Sequence, residues 1–427
     1  MTSPVALALT LSAFWHTRRR AARLRTREAL LTWQAGRLRR YLHVSAPKAE
    51  AFAALKGYPL ADFPILDKDR LMAAYHKYNI AGVTAAQAWQ VLERDGRSGR
   101  YSIGASTGTS GNRGLYLISD TERYLWLGTL LAKALPDLLA SRYRVAVMLP
   151  RSSRLYDAAN ETGRLALKFF DLSDGLEAQL PDVVAFRPNV LVAPPHALLA
   201  LARADLPLAP LQVFSGAEVL DPGDRIVIEH RFGQTVREIY MATEGLFGVA
   251  CPHGTLHLCE DCVAFEWEPE GGLSKPLITD FTRRSQIMIR YRMNDLLRLT
   301  DQPCACGSPL QAVAEVVGRS DDCFLLQRAD GTPLTVTPDI IRNAVIGASR
   351  DITDFRVIQT RDGEIRLLLP SGLSGALPLA RDALSAQLTR LGAEFRLSAE
   401  THPLQLSGPK LRRVFRERPF PAPEDKS

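Results

Sequence analysis

The sequence lacks any apolar run that approaches the roughly 18 consecutive residues needed for a membrane-spanning helix. Its longest candidate extends from Val5 to Trp15, and the arginines follow this stretch rather than precede it. That order is the reverse of a secretory signal peptide, in which the positive charges come first. We therefore expect no transmembrane segment and a cytoplasmic location.

Other familiar signals are missing as well. Six cysteines among 427 residues do not suggest a disulfide framework. No Gly-x-Ser-x-Gly nucleophile elbow precedes a helix, which disfavours a Ser/His/Asp hydrolase, and no internal repeat is apparent. The composition, 46% hydrophobic and 23% charged, is typical of a folded globular protein. At this length we expect a large domain and a smaller one.

Positive charge is concentrated in one segment. Nine arginines and one acid, Glu28, lie between Arg18 and Arg40, so this segment carries +8 while the whole chain carries +7. A basic helix of this kind can contact an anionic membrane, a nucleic acid or an acidic carrier protein. It can also be a solvated helix face, which a charge run alone favours. Nothing outside this segment indicates nucleic-acid recognition.

The pattern of apolar residues changes along the chain. Residues 1–95 look mainly helical, and Asp67-Lys-Asp69 is typical of a helix start. From Tyr101 onward, short apolar strands alternate with helices, as in a doubly wound α/β sheet. The predicted strands include 144–150, 189–194, 211–214 and 236–240. We predict a large domain over residues 1–318 and a small α+β domain over residues 319–427.

One stretch has the composition of a phosphate-binding loop, Gly104-Ala-Ser-Thr-Gly-Thr-Ser-Gly-Asn-Arg-Gly114. Its glycines let the backbone approach a ligand closely, and its hydroxyls can join main-chain amides around phosphate oxygens. Arg113 adds a fixed positive charge suited to a leaving pyrophosphate. The loop is not a Walker motif, because no Lys-Ser or Lys-Thr follows its second glycine. Taken alone, it is equally a flexible surface turn.

Five further motifs follow this loop in order. They are Ser215-Gly-Ala-Glu218, Tyr240-Met-Ala-Thr-Glu244, Ile289-Arg-Tyr-Arg-Met-Asn-Asp295, Gly318-Arg-Ser-Asp-Asp322 and Ser407-Gly-Pro-Lys-Leu-Arg-Arg413. Together with Ser106-Thr-Gly-Thr-Ser-Gly111, this set resembles the acyl-adenylating (AMP-forming) superfamily, in the branch of phenylacetate–CoA ligases and coenzyme F390 synthetase-like proteins. The resemblance implies a large N-terminal domain with doubly wound mixed sheets and a small, mobile α+β C-terminal lid.

The resemblance also implies roles for individual residues. The residues implied to contact the nucleotide are Ser106, Thr107, Gly108, Thr109, Ser110, Gly111, Arg113, Gly216, Ala217, Glu218, Tyr240, Asp295 and Arg319. Three residues are implied to be catalytic. Lys410 would bridge the substrate carboxylate and the α-phosphate, Thr243 would bind phosphate, and Glu244 would bind Mg²⁺. These residue types suit the reaction, because a carboxylate must attack the α-phosphorus of ATP while pyrophosphate leaves. Charge neutralisation and positioning then do most of the catalysis.

The sequence departs from the family pattern at three places. Ile287 and Met288 lie where a proline is usual, Asn294 replaces a common glycine before Asp295, and a proline precedes Lys410. None of these changes removes a charged group that acid activation needs. Asp295 can still accept hydrogen bonds from both ribose hydroxyls, and Lys410 still supplies a compact point charge.

The placement of cysteine and histidine indicates a structural zinc site. Cys304-Ala-Cys306 is a tight knuckle that offers two thiolates, and residues 251–262 offer further ligands. Some relatives resemble a Cys…Leu-His…Cys-x-Cys arrangement, which implies a zinc site formed by Cys251, His257, Cys304 and Cys306. The alternatives are Cys259, Cys262 and His253 as ligands, or reduced core cysteines without a metal.

The sequence thus predicts an enzyme that uses ATP and Mg²⁺ to activate a small carboxylic acid, aromatic by analogy with the family, as acyl-AMP. A thiol of CoA, or of the phosphopantetheine on an acyl carrier protein, would take the acyl group. Alternatives are AMP transfer to a hydroxyl as in coenzyme F390 synthetase, acyl transfer to an amine, and a non-catalytic nucleotide-binding protein. The acid pocket would lie near His196, Phe214 and residues 242–247. We expect no nucleic-acid partner, and a homodimer is compatible with the sequence.

Overall fold

The computed structural model describes residues 4–106, 113–149, 164–352, 354–361, 363–403 and 412–417. The chain divides into two compact units. The first consists of Met1–Glu268, Pro276–Met293 and Leu299–Ala314, and the second of Pro269–Lys275, Asn294–Arg298 and Glu315–Ser427. Among the described residues, no helix is both long and apolar enough to cross a membrane. The domain boundary predicted at residue 319, and the mobility of the small domain, stay predictions.

The first unit begins with helices α1 (Pro4–Arg23), α2 (Arg27–Val44), α3 (Lys68–Ala73) and α4 (Ala85–Arg94). Short 3₁₀ helices separate them, at Ala46–Lys48, Glu50–Leu55, Leu60–Asp62 and Tyr75–Tyr78. The sequence marks the helix starts clearly. Thr26 and Asp67 cap α2 and α3 by accepting backbone N–H bonds, and Thr84 begins α4 with a reciprocal capping box.

A small antiparallel sheet follows, with strands β1 (Arg97–Ser98), β2 (Tyr101–Ala105) and β3 (Leu115–Ser119) in that order. Helix α5 (Asp120–Ala134) begins directly after β3. Ser119 and Glu122 form its capping box, so the strand-to-helix transition is fixed by two side chains. The β2–β3 connection contains the predicted phosphate loop.

A larger sheet forms the centre of the first unit. Its parallel part is built from β4 (Tyr143–Leu149), β5 (Leu165–Asp171), β6 (Val190–Ala193), β7 (Gln212–Gly216) and β8 (Val236–Ala242). The spatial order is β5-β4-β6-β7-β8, and β9 (Gly245–Ala250) and β10 (Leu256–Leu258) continue it in antiparallel pairing. The connecting helices are α6 (Leu180–Phe186), α7 (Pro195–Arg203) and α8 (Pro222–Phe232).

Alternating side chains of this sheet enter two different cores. In β4, Val145 and Val147 pack in the cluster that includes Leu127 and Leu131 of α5. Their neighbours Ala146 and Met148 pack in the cluster formed with α6, α7 and α8. Because β4 is buried on both faces, successive side chains must all be apolar, and this explains the continuous apolar run in its sequence. Helices on both faces are the doubly wound arrangement, and the predicted α/β class is confirmed.

The strands that follow are β11 (Val263–Glu270), β12 (Leu273–Asp280), β13 (Tyr291–Arg292), β14 (Asp295–Thr300) and β15 (Ala312–Arg319). In the first unit, β13 pairs antiparallel with β12, where Ile278 lies opposite Tyr291. The start of β15 pairs with β10, where Ala312 lies opposite His257. In the second unit, Ser274 of β12 lies opposite Leu297 of β14.

The second unit is α+β. Its elements are β16 (Phe324–Arg328), β17 (Pro333–Val336), α9 (Pro338–Ile346), β18 (Arg356–Arg361), β19 (Glu364–Pro370), α10 (Leu377–Arg390), β20 (Ala393–Glu394), β21 (Arg396–His402) and β22 (Val414–Arg416). They form a β17-β16-β20 sheet and a β21-β19-β18-β22 sheet. Both sheets and both helices contribute to one core, in which Phe324, Val357 and Leu384 are fully buried.

Candidate functional site

Three neighbouring parallel strands of the first unit end at one edge of the sheet. Strands β6, β7 and β8 are in register, with Ala193 beside Ser215 and Gly216 beside Ile239. Ligands of α/β sheets bind at the carboxyl ends of such strands. Here these ends lead into His196, into Ala217-Glu218 and into Thr243-Glu244. This edge of the sheet is therefore the candidate binding site.

Thr243 and Glu244 form the connection between β8 and β9. Ala242 pairs with Gly245 across the hairpin, so these two residues are the turn itself. The Glu244 Oε1 atom accepts a hydrogen bond of 3.1 Å from the hydroxyl of Tyr291. Two motifs that lie 47 residues apart in the sequence, those of Glu244 and Tyr291, are thus brought together. The ring of Tyr240 packs on Phe247, with 5.4 Å between ring centroids.

The base of the predicted phosphate loop is well defined. Ser106 N–H donates to the Gly114 carbonyl at 2.8 Å, and Gly114 N–H donates to Ser106 Oγ at 2.8 Å. The Arg113 Nε atom donates to the Ser106 carbonyl at 3.2 Å, and its guanidinium lies 5.0 Å from the ring centroid of Trp89. The other predicted loop residues lie outside the described residues: Thr107, Gly108, Thr109, Ser110 and Gly111.

A lysine that the motifs do not include lies beside this base. A Cβ atom at Gly114 would be 3.2 Å from Lys68 Cε and 3.8 Å from Lys68 Nζ, so the side chain passes over the glycine. Leu66 bridges to Tyr291, which ties the chain before Lys68 to β13. The sequence indicated only a helix start here, and Asp67 does accept the Arg70 N–H bond at 2.8 Å.

The adenine-side motif contains a strained residue and a buried acid. Ala217 has φ of 67°, a left-handed conformation that non-glycine residues adopt at a cost of about 1 kcal/mol or more. Glu218 follows it, and its side chain is only 5% exposed. Its Oε2 atom lies 2.8 Å from Nδ1 of His196, at the start of α7. The sequence placed His196 near the acid pocket and gave no sign of this pair.

Asp295 of the ribose motif and the whole hinge motif lie in the second unit. Asp295 starts β14 and Arg319 ends β15, and Nε of Arg319 is 3.7 Å from Oδ1 of Asp295. The hinge motif is also tied to Asn294, because Ser320 N–H donates to its carbonyl at 2.7 Å. Lys410 lies outside the described residues, and the nearby Arg412 forms an ion pair with Asp322.

Four predicted zinc ligands converge in the first unit. The ligand atoms of Cys251, His257, Cys304 and Cys306 all lie within 4.8 Å of one another. The Sγ atoms of Cys251 and Cys304 are 3.6 Å apart, and Cys306 Sγ is 3.3 Å from His257 Nε2. Tetrahedral zinc with bonds of about 2.0–2.3 Å places its ligand atoms about 3.3–3.8 Å apart. The spacing therefore fits this metal.

The surroundings of the cluster also suit a metal. His257 Nδ1 lies 3.2 Å from the Leu310 carbonyl, which leaves Nε2 as the ligand atom. Partial burial acts to raise the pKa of the Cys304 thiol. Hydrogen bonds from Thr255 and from the Cys306 backbone outweigh it, and the pKa falls to about 6. Burial and the neighbouring thiols of Cys304 and Cys251 raise the pKa of Cys306 to about 12, so Cys304 is the readier thiolate of the two, and the thiolate is the form that binds metals.

The alternative ligands lie elsewhere. Cys259 and Cys262 are buried beside Asp261, and burial raises the pKa of Cys259 to about 12, which favours an inert thiol. His253 is exposed on the turn between β9 and β10. Neither the two cysteines nor this histidine belongs to the four-residue cluster found among the described residues.

No family model matches the chain. It is 26% identical over 220 residues to a phenylacetate–coenzyme A ligase of Pseudomonas putida, covering 45% of this chain and 48% of that protein. It is 23% identical over 97 residues to a phenylacetate–coenzyme A ligase of Thermus thermophilus, covering 23% of this chain and 21% of the other. The chain thus spans about half or less of the length of these curated relatives.

The fold has a solved counterpart. A structure of 2-hydroxyisobutyryl-CoA ligase, in complex with 2-HIB-AMP, superimposes with a TM-score of 0.65 and 19% identity, over 92% of this chain and 89% of the other. At this identity the likeness shows the fold alone. The chain has the fold of this CoA ligase, and its sequence resembles phenylacetate–coenzyme A ligases over part of its length.

Proposed function

We propose that the chain is an AMP-forming ligase, which activates a small carboxylic acid, aromatic in our preferred form, and then passes it to a thiol such as that of CoA. The observation that carries the proposal is the turn formed by Thr243 and Glu244 at the carboxyl edge of the sheet, joined to Tyr291 of a second motif. The names of the similar proteins support it, since they are phenylacetate–coenzyme A ligases and a ligase bound to an acyl-AMP and CoA.

In the first step, a carboxylate oxygen of the acid attacks the α-phosphorus of ATP. The bond from that phosphorus to the bridging oxygen breaks, and pyrophosphate leaves with the electron pair. Mg²⁺ would neutralise charge on the phosphates, and the fixed carboxylate of Glu244 is suited to hold it. Thr243 and the hydroxyl-rich loop after Ser106 would bind phosphate oxygens, and Arg113 would face the leaving pyrophosphate.

Other residues would orient the nucleotide. Tyr240 would stack on adenine beside Gly216, Ala217 and Glu218, and Asp295 would accept hydrogen bonds from the ribose hydroxyls. Arg319, which lies 3.7 Å from Asp295, would hold that carboxylate in place. Lys410 would bridge the acid and the α-phosphate, because a compact ammonium can contact both oxygens at once.

In the second step, a thiol attacks the acyl carbon, the bond to the AMP oxygen breaks, and the thiol proton is released. The same acyl-AMP would also react with an amine, whereas a hydroxyl that attacks the α-phosphorus of ATP would take AMP itself. CoA is the acceptor we favour, and a carrier-protein phosphopantetheine has the same reacting group.

We further propose that Cys251, His257, Cys304 and Cys306 hold a structural zinc ion. Four protein ligands leave no open position for substrate, so the metal would not take part in the reaction. It would join the β9–β10 turn to the loop before β15. Metal analysis of protein purified without chelator should find about one zinc per chain.

The test of the activity is ATP–pyrophosphate exchange by the purified chain. Aryl acids, hydroxy acids and medium-chain acids would be compared, with Lys410→Ala as the inactive variant. Lys168→Ala is the matched control, because Lys168 pairs with Asp182 and contacts the ring of Phe170, outside the proposed site. Exchange with one class of acid, lost in Lys410→Ala and kept in the control, would support the proposal. ATP binding without exchange for any acid would refute it.

The acceptor is identified by product analysis with the acid that gives exchange. CoA, a carrier protein, an amine and a hydroxyl acceptor would be supplied in separate reactions. A thioester with release of AMP supports the ligase. An amide product would show that the enzyme acylates an amine. An AMP adduct formed without the acid would show that the enzyme is a nucleotidyltransferase.

A further inference from the structure

The arginines of α1 and α2 fall into two groups. Arg20 and Arg27 form ion pairs within the first unit. Arg20 pairs with buried Asp261 at 2.8 Å, and Arg27 pairs with buried Glu260. The other seven form no salt bridge within the part of the chain that the structure describes. We call these exposed residues the basic surface: Arg18, Arg19, Arg23, Arg25, Arg37, Arg39 and Arg40.

Part of the basic surface is crowded with like charges. The guanidinium carbons of Arg20 and Arg37 lie 5.1 and 5.9 Å from the centroid of the same ring, that of Trp33. Partial burial lowers the pKa of Arg37, and the charges of Arg284, Arg40 and Arg20 lower it further. An anion bound here would relieve this repulsion, since a carboxylate or phosphate between guanidiniums gains from each of them.

Apolar side chains extend this surface along α1. Leu7, Leu11 and Trp15 are 39%, 36% and 55% exposed. Their spacing of four residues places them in one stripe of the helix, and Arg18 continues it. The aliphatic and indole groups of this apolar stripe therefore lie next to the basic surface.

Helix α1 cannot rotate to bury this apolar stripe, because the opposite face of the helix is packed against the rest of the first unit. Ala6, Ala13, Phe14 and Thr17 are buried, and Gly128 of α5 allows close contact. A Cβ at Gly128 would lie 2.8 Å from the Cβ of Ala13. The Arg20–Asp261 ion pair fixes the end of α1. The exposed stripe is thus a property of the folded protein.

We propose that α1 and α2 form a membrane-surface site, which binds anionic phospholipid headgroups through the basic surface and places the apolar stripe at the boundary of headgroups and acyl chains. Within α1, arginine, tryptophan and leucine are exposed together, and these are the residues that an interfacial helix uses. A nucleic acid would engage the arginines and leave Leu7 and Leu11 in water. A two-fold contact between copies would set arginine against arginine.

The test is co-sedimentation of the full chain with vesicles of phosphatidylcholine, alone or mixed with phosphatidylglycerol. The protein should bind the mixed vesicles, release from them as salt rises, and bind phosphatidylcholine weakly. The triple variant Arg18→Gln, Arg19→Gln, Arg23→Gln should lose affinity by about fivefold for each arginine, or about 100-fold in total. Trp15→Ser should lose about tenfold, because its exposed indole no longer enters the interface.

Two matched variants serve as controls. The triple variant Arg361→Gln, Arg390→Gln, Arg396→Gln removes the same charge from exposed sites of the second unit, and Leu211→Ser removes a 60% exposed leucine. Both should bind the mixed vesicles like the parent. Equal losses in these controls, no binding to mixed vesicles, or tighter binding to duplex DNA or to an acidic carrier protein would each overturn the proposal. ATP–pyrophosphate exchange should be unchanged in every variant, so this outcome is independent of the ligase activity.

Discussion

Asp261 provides the sharpest stability prediction, because it is a fully buried charge with two cationic partners. Its carboxylate lies 2.6 Å from Lys133 Nζ of α5 and 2.8 Å from Arg20 of α1. Burial opposes its charge, yet these two cations outweigh burial and hold the pKa of Asp261 well below its usual range. The Asp261→Asn variant keeps the shape and removes the charge, which leaves two desolvated cations close together.

The expected cost follows from that arrangement. Breaking a buried ion pair from one side costs about 3–5 kcal/mol, because the remaining charge is uncompensated. We therefore expect Asp261→Asn to lower the free energy of unfolding of the first unit by about 3–5 kcal/mol. The control Asp182→Asn breaks the exposed pair with Lys168 and should cost below about 1 kcal/mol. Adding Lys133→Met to Asp261→Asn should recover part of the loss.

Urea unfolding followed by tryptophan fluorescence measures these differences in the free energy of unfolding.

The pH dependence of this stability has a definite sign. An acid whose folded pKa is depressed contributes stability above its unfolded pKa, near 3.9, and loses it as pH falls toward the folded value. The difference in the free energy of unfolding between the parent and Asp261→Asn should therefore be largest at neutral pH and decrease below about pH 4. A loss below about 1 kcal/mol at neutral pH would refute the reasoning.

Three further predictions concern the site. Glu244→Gln should slow ATP–pyrophosphate exchange by about 100-fold, because a neutral amide is a poor Mg²⁺ ligand, and exchange with unchanged kinetics would contradict this. Lys68→Met should weaken ATP binding about tenfold and AMP binding little, as measured by calorimetry, whereas Lys77→Met should change neither. Cys304→Ser should lower the zinc content from about one per chain toward zero, and unchanged zinc by mass spectrometry would rule out this ligand set.

Much of the fold was predictable because buried parallel strands leave a continuous apolar record. The predicted strand 144–150 is β4 at Tyr143–Leu149, and 236–240 is β8 at Val236–Ala242. The zinc cluster was also within reach, since Cys304 and Cys306 belong to one local knuckle. Its other two members rested on resemblance. Whether His257 or a neighbouring cysteine joins it depends on the pairing of β10 with β15.

Other contacts left no local pattern in the sequence. Lys133 and Asp261 are 128 residues apart, and Arg20 and Asp261 are 241 apart, yet they share one buried pair of oxygens. Lys68 meets Gly114 because Leu66 pairs with Tyr291. Such contacts arise from tertiary packing, which periodicity and turn chemistry cannot report. The arginine-rich segment is an example, because only the structure separates the two arginines that form ion pairs, Arg20 and Arg27, from the seven that form none among the described residues.

The division between nucleotide and acid recognition has a consequence for the substrate. In the proposed activity the motifs would bind ATP, since they contain the hydroxyls, carboxylates and cations that phosphates and a ribose require. The acid would be recognised by residues outside most motifs, near the start of α7. There Nδ1 of His196 lies 2.8 Å from buried Glu218, and we infer that Nε2, on the other side of the ring, would contact the acid. A hydrogen-bonding substituent on the acid would satisfy that nitrogen, whereas a wholly apolar acid would leave it unpaired. Hydroxy- and amino-substituted acids therefore belong beside phenylacetate in the exchange assay.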